Sequence, residues 1–141
     1  MTTAILWPTF ALVALVFAVW VQVPFARLAY IKSNPPKRDD LATGTASASY
    51  FAPVDRPANN LANLFEMPVL FLALVPLLLI TRHGGTIETA LAWSFVMLRA
   101  AHSVVQTGKN IVRVRFLIYL VSCAVLAAMW LGFAIDIAVG R

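Results

Sequence analysis

Between Met1 and Ala26 the chain carries no Asp, Glu, Lys or Arg, and the same holds from Met67 to Thr81 and from Phe116 to Ile135. A segment in lipid has no water for its peptide groups, so its backbone must close its hydrogen bonds in a helix or a barrel. Barrel strands alternate apolar and polar residues, whereas these runs are continuous, which selects helices that cross the hydrocarbon in about 20 residues. Of the 141 residues, 61% are hydrophobic and 12% charged, against about 25% charged in a soluble domain. The expectation is an all-α integral membrane protein, a helix bundle forming one domain over residues 1–141.

Four spans are expected, at about 4–29, 57–81, 86–106 and 114–137. The first resembles a secretory leader only in part. No Lys or Arg precedes Arg27, and the run exceeds the 7–15 residues of a signal-peptide core, so it reads as a retained span. Met67 to Thr81 alone is short for a crossing. The second helix is therefore expected to begin near Pro57, with Asp55 as a capping carboxylate and the proline in the first turn. That start places Asn59, Asn63 and Glu66 on the helix. The third span tolerates Arg99 and His102. KSNPPKRDDLATGTASASYFAPVDRP between the first two spans reads as a loop, RHGG at 82–85 as a tight turn, and TGKNIVRVR at 107–115 as the last link.

Charge gives direction. Arg27, Lys32, Lys37, Arg38, Arg56, Lys109, Arg113 and Arg115 fall on one side, eight against Arg82 and Arg141 on the other. By the positive-inside bias the first and third loops face the cytoplasm and both termini face away. A basic side attracts anionic headgroups or an anionic substrate. No soluble basic module offers a nucleic-acid site. The single cysteine, Cys123, excludes an internal disulfide and reads as a small buried hydrophobe. No metal-ligand cluster, phosphate loop or Ser/His/Asp constellation is present. Trp7, Trp20 and Tyr30 sit where interfacial anchors belong.

At ~100° per residue, Arg56, Asn59, Asn63 and Glu66 form one stripe of the second span. Arg99, His102, Ser103 and Gln106 share a face of the third, and Arg115, Tyr119 and Ser122 follow i, i+4, i+7 in the fourth. All three stripes lie toward the basic side. An ionisable group at membrane depth costs about 2.5–3.5 kcal/mol on insertion scales, so these residues face partners or a cavity. Glu66 is expected opposite Arg99, Arg115 or a ligand cation. Pro68 lacks an N–H, which frees the Leu64 carbonyl as an acceptor near the same depth. A plain interhelical clasp of Glu66 with Arg99 and a packing role for His102 are the simpler alternatives, and the basic residues of the last link serve equally as a topology signal.

NNLANLFEMPVLF opening the second span and LRAAHSVVQTGKNIVRVRF from the third into the fourth resemble the MAPEG family, membrane-associated proteins of eicosanoid and glutathione metabolism, and most of all its bacterial members. The resemblance implies a four-helix protomer, a homotrimer and a bacterial inner-membrane location. It also implies a glutathione site between protomers on the cytoplasmic side, with glutathione as cosubstrate. Asn63 and Glu66 match the family's glutathione-binding Asn and Glu, and Arg99 and His102 its third-helix Arg and His. Arg115 matches an arginine that steadies the thiolate, Tyr119 a tyrosine lining that site, and Arg27 a first-helix arginine. Gln106 and Asn59 stand where the eicosanoid branch has tyrosine and arginine, and both are carried as candidate contacts. The implied function is glutathione-dependent transfer to lipophilic electrophiles, or reduction of lipophilic hydroperoxides. The alternatives are a non-catalytic membrane protein that binds lipid or a partner, and a small transporter using Glu66 and His102 as a proton relay.

Overall fold

The structure, a computed structural model, describes residues 3–140; Arg141, counted above among the charges of the far side, lies outside the described residues. All regular structure among them is helical. The elements are α1 (Leu6–Ser33), α2 (Gly44–Phe51), α3 (Arg56–Leu64), α4 (Met67–Ile80), α5 (Thr86–Thr107) and α6 (Val112–Val139), with 3₁₀ turns at Thr3–Ile5, Arg38–Leu41 and Ala52–Val54. Thr3–Ser33, Arg56–Ile80 and Val112–Val139 are long and apolar enough to cross a membrane. The remaining long helix, α5, carries polar residues that point inward.

Helix α5 organises the packing. It lies along α6 and also touches α1 and α3, while α4 packs on α6 and α1. Its buried residues are Ala92, Phe95, Val96, Arg99, His102, Ser103 and Gln106, an i, i+3, i+4 progression that forms one inward stripe. The stripe changes character halfway. Ala92, Phe95 and Val96 join Ile5, Leu12, Phe71, Leu74, Val75, Leu78, Leu126 and Met129 in the apolar core. From Arg99 onward the stripe is polar, and Asn60 and Ser122 are buried as well. The molecule thus has a dry end and a polar end. Outward residues such as Phe17, Ile80 and Leu131 are apolar and exposed, as suits lipid in place of water.

Two departures from the sequence reading concern local structure. The expected continuous helix from Pro57 to Thr81 is interrupted: α3 ends at Leu64, Glu66 adopts φ −88° and ψ −101°, and α4 restarts at Met67. Pro68 is the cause, since its ring clashes with the Leu64 carbonyl and it has no N–H to return to it. The second departure is α2, which forms inside the expected loop. The Thr43 hydroxyl accepts from the Ala46 N–H at 3.1 Å and starts it, Phe51 is buried at its end, and Tyr50 rests on Tyr30 at 5.3 Å.

Asp55 precedes α3, but its carboxylate caps no N–H there. It instead accepts from Arg27 Nη2 at 2.9 Å and Nε at 3.2 Å, and the Arg27 guanidinium lies 4.8 Å from the centre of the Phe51 ring. This cluster ties α1 to the start of α3.

Phe71 is fully buried and stacks on Phe95 with ring centres 5.1 Å apart. Phe71→Ala costs about 3–5 kcal/mol in a soluble core. Here the unfolded reference stays in lipid and the water-transfer part is absent, so the expected loss is real but smaller. Leu131, 64% exposed, loses only lipid contacts when changed to Ala. Unfolding in mixed detergent micelles should destabilise Phe71→Ala clearly and leave Leu131→Ala near the parent.

Candidate functional site

At the polar end a cleft of about 250 Å³ opens between the α3–α4 break and the start of α6, lined by Asn63, Glu66, His102, Val112, Arg115, Phe116 and Tyr119. Five of these are residues singled out from the sequence. The helix break matters here. By ending α3 before Glu66, it lets this carboxylate stand exposed at the mouth and leaves it without an ion-pair partner. Among the described residues the ion pair found is Arg27–Asp55, so the simpler alternative of a Glu66–Arg99 clasp is not formed, while Glu66 and Arg115 line the same cleft.

Behind the cleft wall runs a chain of hydrogen bonds. Asn63 Nδ2 lies 2.9 Å from Gln106 Oε1. The same oxygen is 2.9 Å from His102 Nε2, and His102 Nδ1 is 3.2 Å from the Arg115 carbonyl. The Asn63 carbonyl accepts from Arg99 Nη2 at 2.7 Å. One residue of the last turn of α3 thereby holds two residues of α5, one through its backbone and one through its side chain. Ser103 Oγ donates to Asn60 Oδ1 at 3.2 Å and adds a second α3–α5 tie.

Arg99 is the deepest charge. None of its surface is exposed, its guanidinium lies 5.6 Å from the centre of the Tyr119 ring, and its Nε and Nη1 have no hydrogen-bond partner. A buried cation with unused donors next to a cleft calls for an anion or for a strongly dipolar ligand.

Arg115 lies at the rim. Its Nη1 donates to Asn110 Oδ1 at 2.9 Å, and Asn110 holds a left-handed φ of 52° in the link between α5 and α6. Gly108 in that link is required by space: a Cβ there would come within 2.9 Å of the Val104 carbonyl. Arg56 Nη1 donates to the Gly108 carbonyl at 2.9 Å and caps the end of α5.

The remaining sequence candidates fall elsewhere. Arg27 is committed to Asp55 and does not line the cleft. Asn59 is exposed outside it, and the neighbouring Asn60 is the one that turns inward. Gln106 and Arg99 stand behind the lining rather than in it. The sequence reading missed Asn60, Asn110, Val112 and Phe116. Asn60 could have been found from its i, i+3, i+4 relation to Asn63 and Leu64.

The fold and the cleft define an integral membrane protein with a polar, charge-lined site at one end of its helices. The sequence matches the MAPEG family over residues 5–135, nearly the whole chain, and the protein belongs to that family. This family includes glutathione-dependent transferases and peroxidases and generally uses glutathione. No curated protein and no solved structure matches the chain.

The left-handed turn offers a clean test of how the rim is held. Asn110→Ala and Asn110→Gly both remove the bond to Arg115. Only alanine adds the steric cost of φ > 0, roughly 1–2 kcal/mol. Thermal unfolding should rank parent and Asn110→Gly close together, with Asn110→Ala lower by about that amount.

Proposed function

We propose that this protein is a glutathione-dependent membrane transferase or peroxidase acting on lipophilic electrophiles or hydroperoxides. The protomer is read as a single membrane domain of four spans in a homotrimer, with glutathione held on the cytoplasmic side between protomers and the termini on the other side. The observation that carries the reading is the cleft itself, which unites an unpaired carboxylate, an amide, a rim arginine and a tyrosine beside a buried arginine with free donors.

The donor set fits the ligand. Glutathione carries an ammonium, two carboxylates and a thiol. Glu66 and the Asn63 oxygen suit the ammonium, and guanidinium groups suit carboxylates through paired hydrogen bonds. The cleft volume falls just below the roughly 300–1,000 Å³ that encloses a small ligand, as expected where a second copy supplies the other wall. When bound, glutathione supplies a sulfur nucleophile that bonds to an electrophilic carbon as the leaving group departs with the bonding pair; with a hydroperoxide the sulfur takes the outer oxygen, the O–O bond breaks to release an alkoxide that is protonated to the alcohol, and a second glutathione converts the sulfenic acid to disulfide and water.

The protein's part is to hold the thiolate. A free thiol ionises near ~8.5, and only the thiolate attacks well. Arg115 remains charged at any usable pH, and one pH unit of thiol activation requires about 1.4 kcal/mol of preferential interaction. The bond to Asn110 fixes this guanidinium at the rim. Tyr119 offers a hydroxyl in the same cleft, and the exposed apolar surface of the helices gives an apolar electrophile a route from the bilayer.

Calorimetry with glutathione on detergent-purified protein tests the reading; absence of binding at millimolar ligand would leave a non-catalytic role. Glu66→Gln keeps shape and loses charge. A charged hydrogen bond is worth about 1.5–3 kcal/mol, so affinity should fall roughly 10- to 150-fold with the oligomeric state unchanged. Unchanged affinity would remove Glu66 from ammonium recognition.

Arg115→Ala should lower the near-ultraviolet thiolate absorbance of bound glutathione and slow conjugation, while binding through Glu66 persists. Arg113 is the control. It is exposed, does not line the cleft, and projects about 160° away from Arg115 on an ideal helix. Equal thiolate signals in the parent and Arg115→Ala, with ligand bound in both, would reduce Arg115 to a topology charge.

A further inference from the structure

His102 stands between two acceptors. Its Nδ1 faces the Arg115 carbonyl at 3.2 Å and its Nε2 faces Gln106 Oε1 at 2.9 Å. A carbonyl oxygen only accepts, so Nδ1 carries a hydrogen whenever the first bond is made. The Gln106 side is different, because an amide presents either an oxygen or an NH₂ after a half-turn of its terminal torsion.

In the observed orientation Gln106 Oε1 accepts twice, from His102 Nε2 and from Asn63 Nδ2 at 2.9 Å. For both contacts to be hydrogen bonds in this orientation, both ring nitrogens must carry a hydrogen, which is the imidazolium form. Asn63 has its NH₂ turned to Gln106, so Oδ1 is the atom of this amide left to serve the cleft that Asn63 lines together with Glu66.

A neutral His102 with its hydrogen on Nδ1 has a bare lone pair on Nε2. Facing Gln106 Oε1 it is repelled, and the repulsion ends when Gln106 turns its NH₂ toward the ring. That same NH₂ then meets Asn63, whose amide must turn in response, placing Oδ1 toward Gln106 and NH₂ toward the cleft. Gln106 and His102 are each 2% exposed, so bulk water is not at hand to absorb a mismatch.

We propose that Gln106 is a positioning residue that locks the hydrogen-bonding character of Asn63 to the protonation of His102, and so sets whether the Asn63–Glu66 wall accepts or donates. For its ligand, the proposal rests on the glutathione reading of the cleft. The charged and titratable groups around His102 are Arg99 on α5, Arg115 and Tyr119 on α6, and Glu66 at the α3–α4 break. An ammonium head bonds to two acceptors on the protonated wall, and meets a donor on the neutral one. Its binding therefore draws a proton onto His102.

The relay is tested first without ligand, on the full chain in detergent, by nitrogen-15 NMR of side chains. The chain has two histidines, and the ring signals lost in His102→Phe identify His102. In the parent, the Asn63 NH₂ shifts should titrate with the same midpoint as the His102 ring. In Gln106→Leu the ring should still titrate while Asn63 no longer follows. Gln106→Glu, which as a carboxylate only accepts, should hold Asn63 in its low-pH state throughout; it is close in shape to the parent and serves if the leucine variant fails to fold. Asn63 shifts that ignore the His102 titration in the parent overturn the proposal.

The ligand step uses S-methylglutathione, which has no ionisable thiol, in calorimetry across buffers of different ionisation enthalpy. Net proton uptake on binding is expected for the parent near the His102 midpoint and should be lost in Gln106→Glu. A linked amide titration with no S-methylglutathione binding overturns the glutathione reading and leaves the relay standing. Binding with no linked titration does the reverse, and binding without proton uptake removes the ammonium consequence.

Discussion

Taking a charge out of water is costly unless it is paired, and Arg99 is held with no exposed surface. Much of the polar end is arranged around that cost. The Asn63 carbonyl, released by the end of α3, takes one guanidinium N–H, and the Tyr119 ring takes part of the charge on its face. Two donors remain unused. A purely structural arginine would be cheaper to replace with an apolar residue. These donors lie behind the wall of the cleft that His102 and Tyr119 line.

Pro68 has an effect out of proportion to its size. In a continuous helix the Asn63 carbonyl would accept from residue 67, and Glu66 would continue the inward face of α3. The interruption releases the carbonyl to Arg99 and leaves Glu66 exposed at the cleft. The same break separates two jobs along one membrane-length segment. The short polar α3 shapes the site through Asn60 and Asn63, and the apolar α4 anchors it through Phe71, Leu74, Val75 and Leu78. One backbone defect thus both builds and exposes the site.

The all-helical fold was legible because long uncharged runs admit few alternatives in lipid. Asn63, Glu66, His102, Arg115 and Tyr119 were legible as a group because helical spacing puts them on facing stripes, and the structure brings all five to one cleft. The differences have physical sources. An unbroken helix counted back from Glu66 puts Asn59 on the inward stripe, whereas the break separates Glu66 from α3, in which Asn60 is the buried amide. The Asp55 carboxylate fits an N-cap by sequence, but a nearby guanidinium competes better for it than a backbone N–H does. Helix α2 carries no apolar period, so nothing in GTASASYF distinguishes it from a polar loop. Gln106 was read as a contact, and its burial places it behind the wall.

The asymmetry of the protomer bears on how a complete site would be built. Glu66 is exposed, Arg115 is half-buried, and the cleft opens outward between α6 and the α3–α4 break. Were the site meant to close within one chain, a lid from the α1–α3 segment would be the natural device. That segment is already tied down, by Asp55 to Arg27 and by Tyr50 to Tyr30 and the Asn34 carbonyl. A second copy is the proposed source of the wall facing the cleft. Val112 and Phe116, both exposed and both lining the cleft, offer an apolar margin on which the helices of a second copy can seal a polar pocket against lipid. This is the physical ground for proposing that the functional unit is an oligomer.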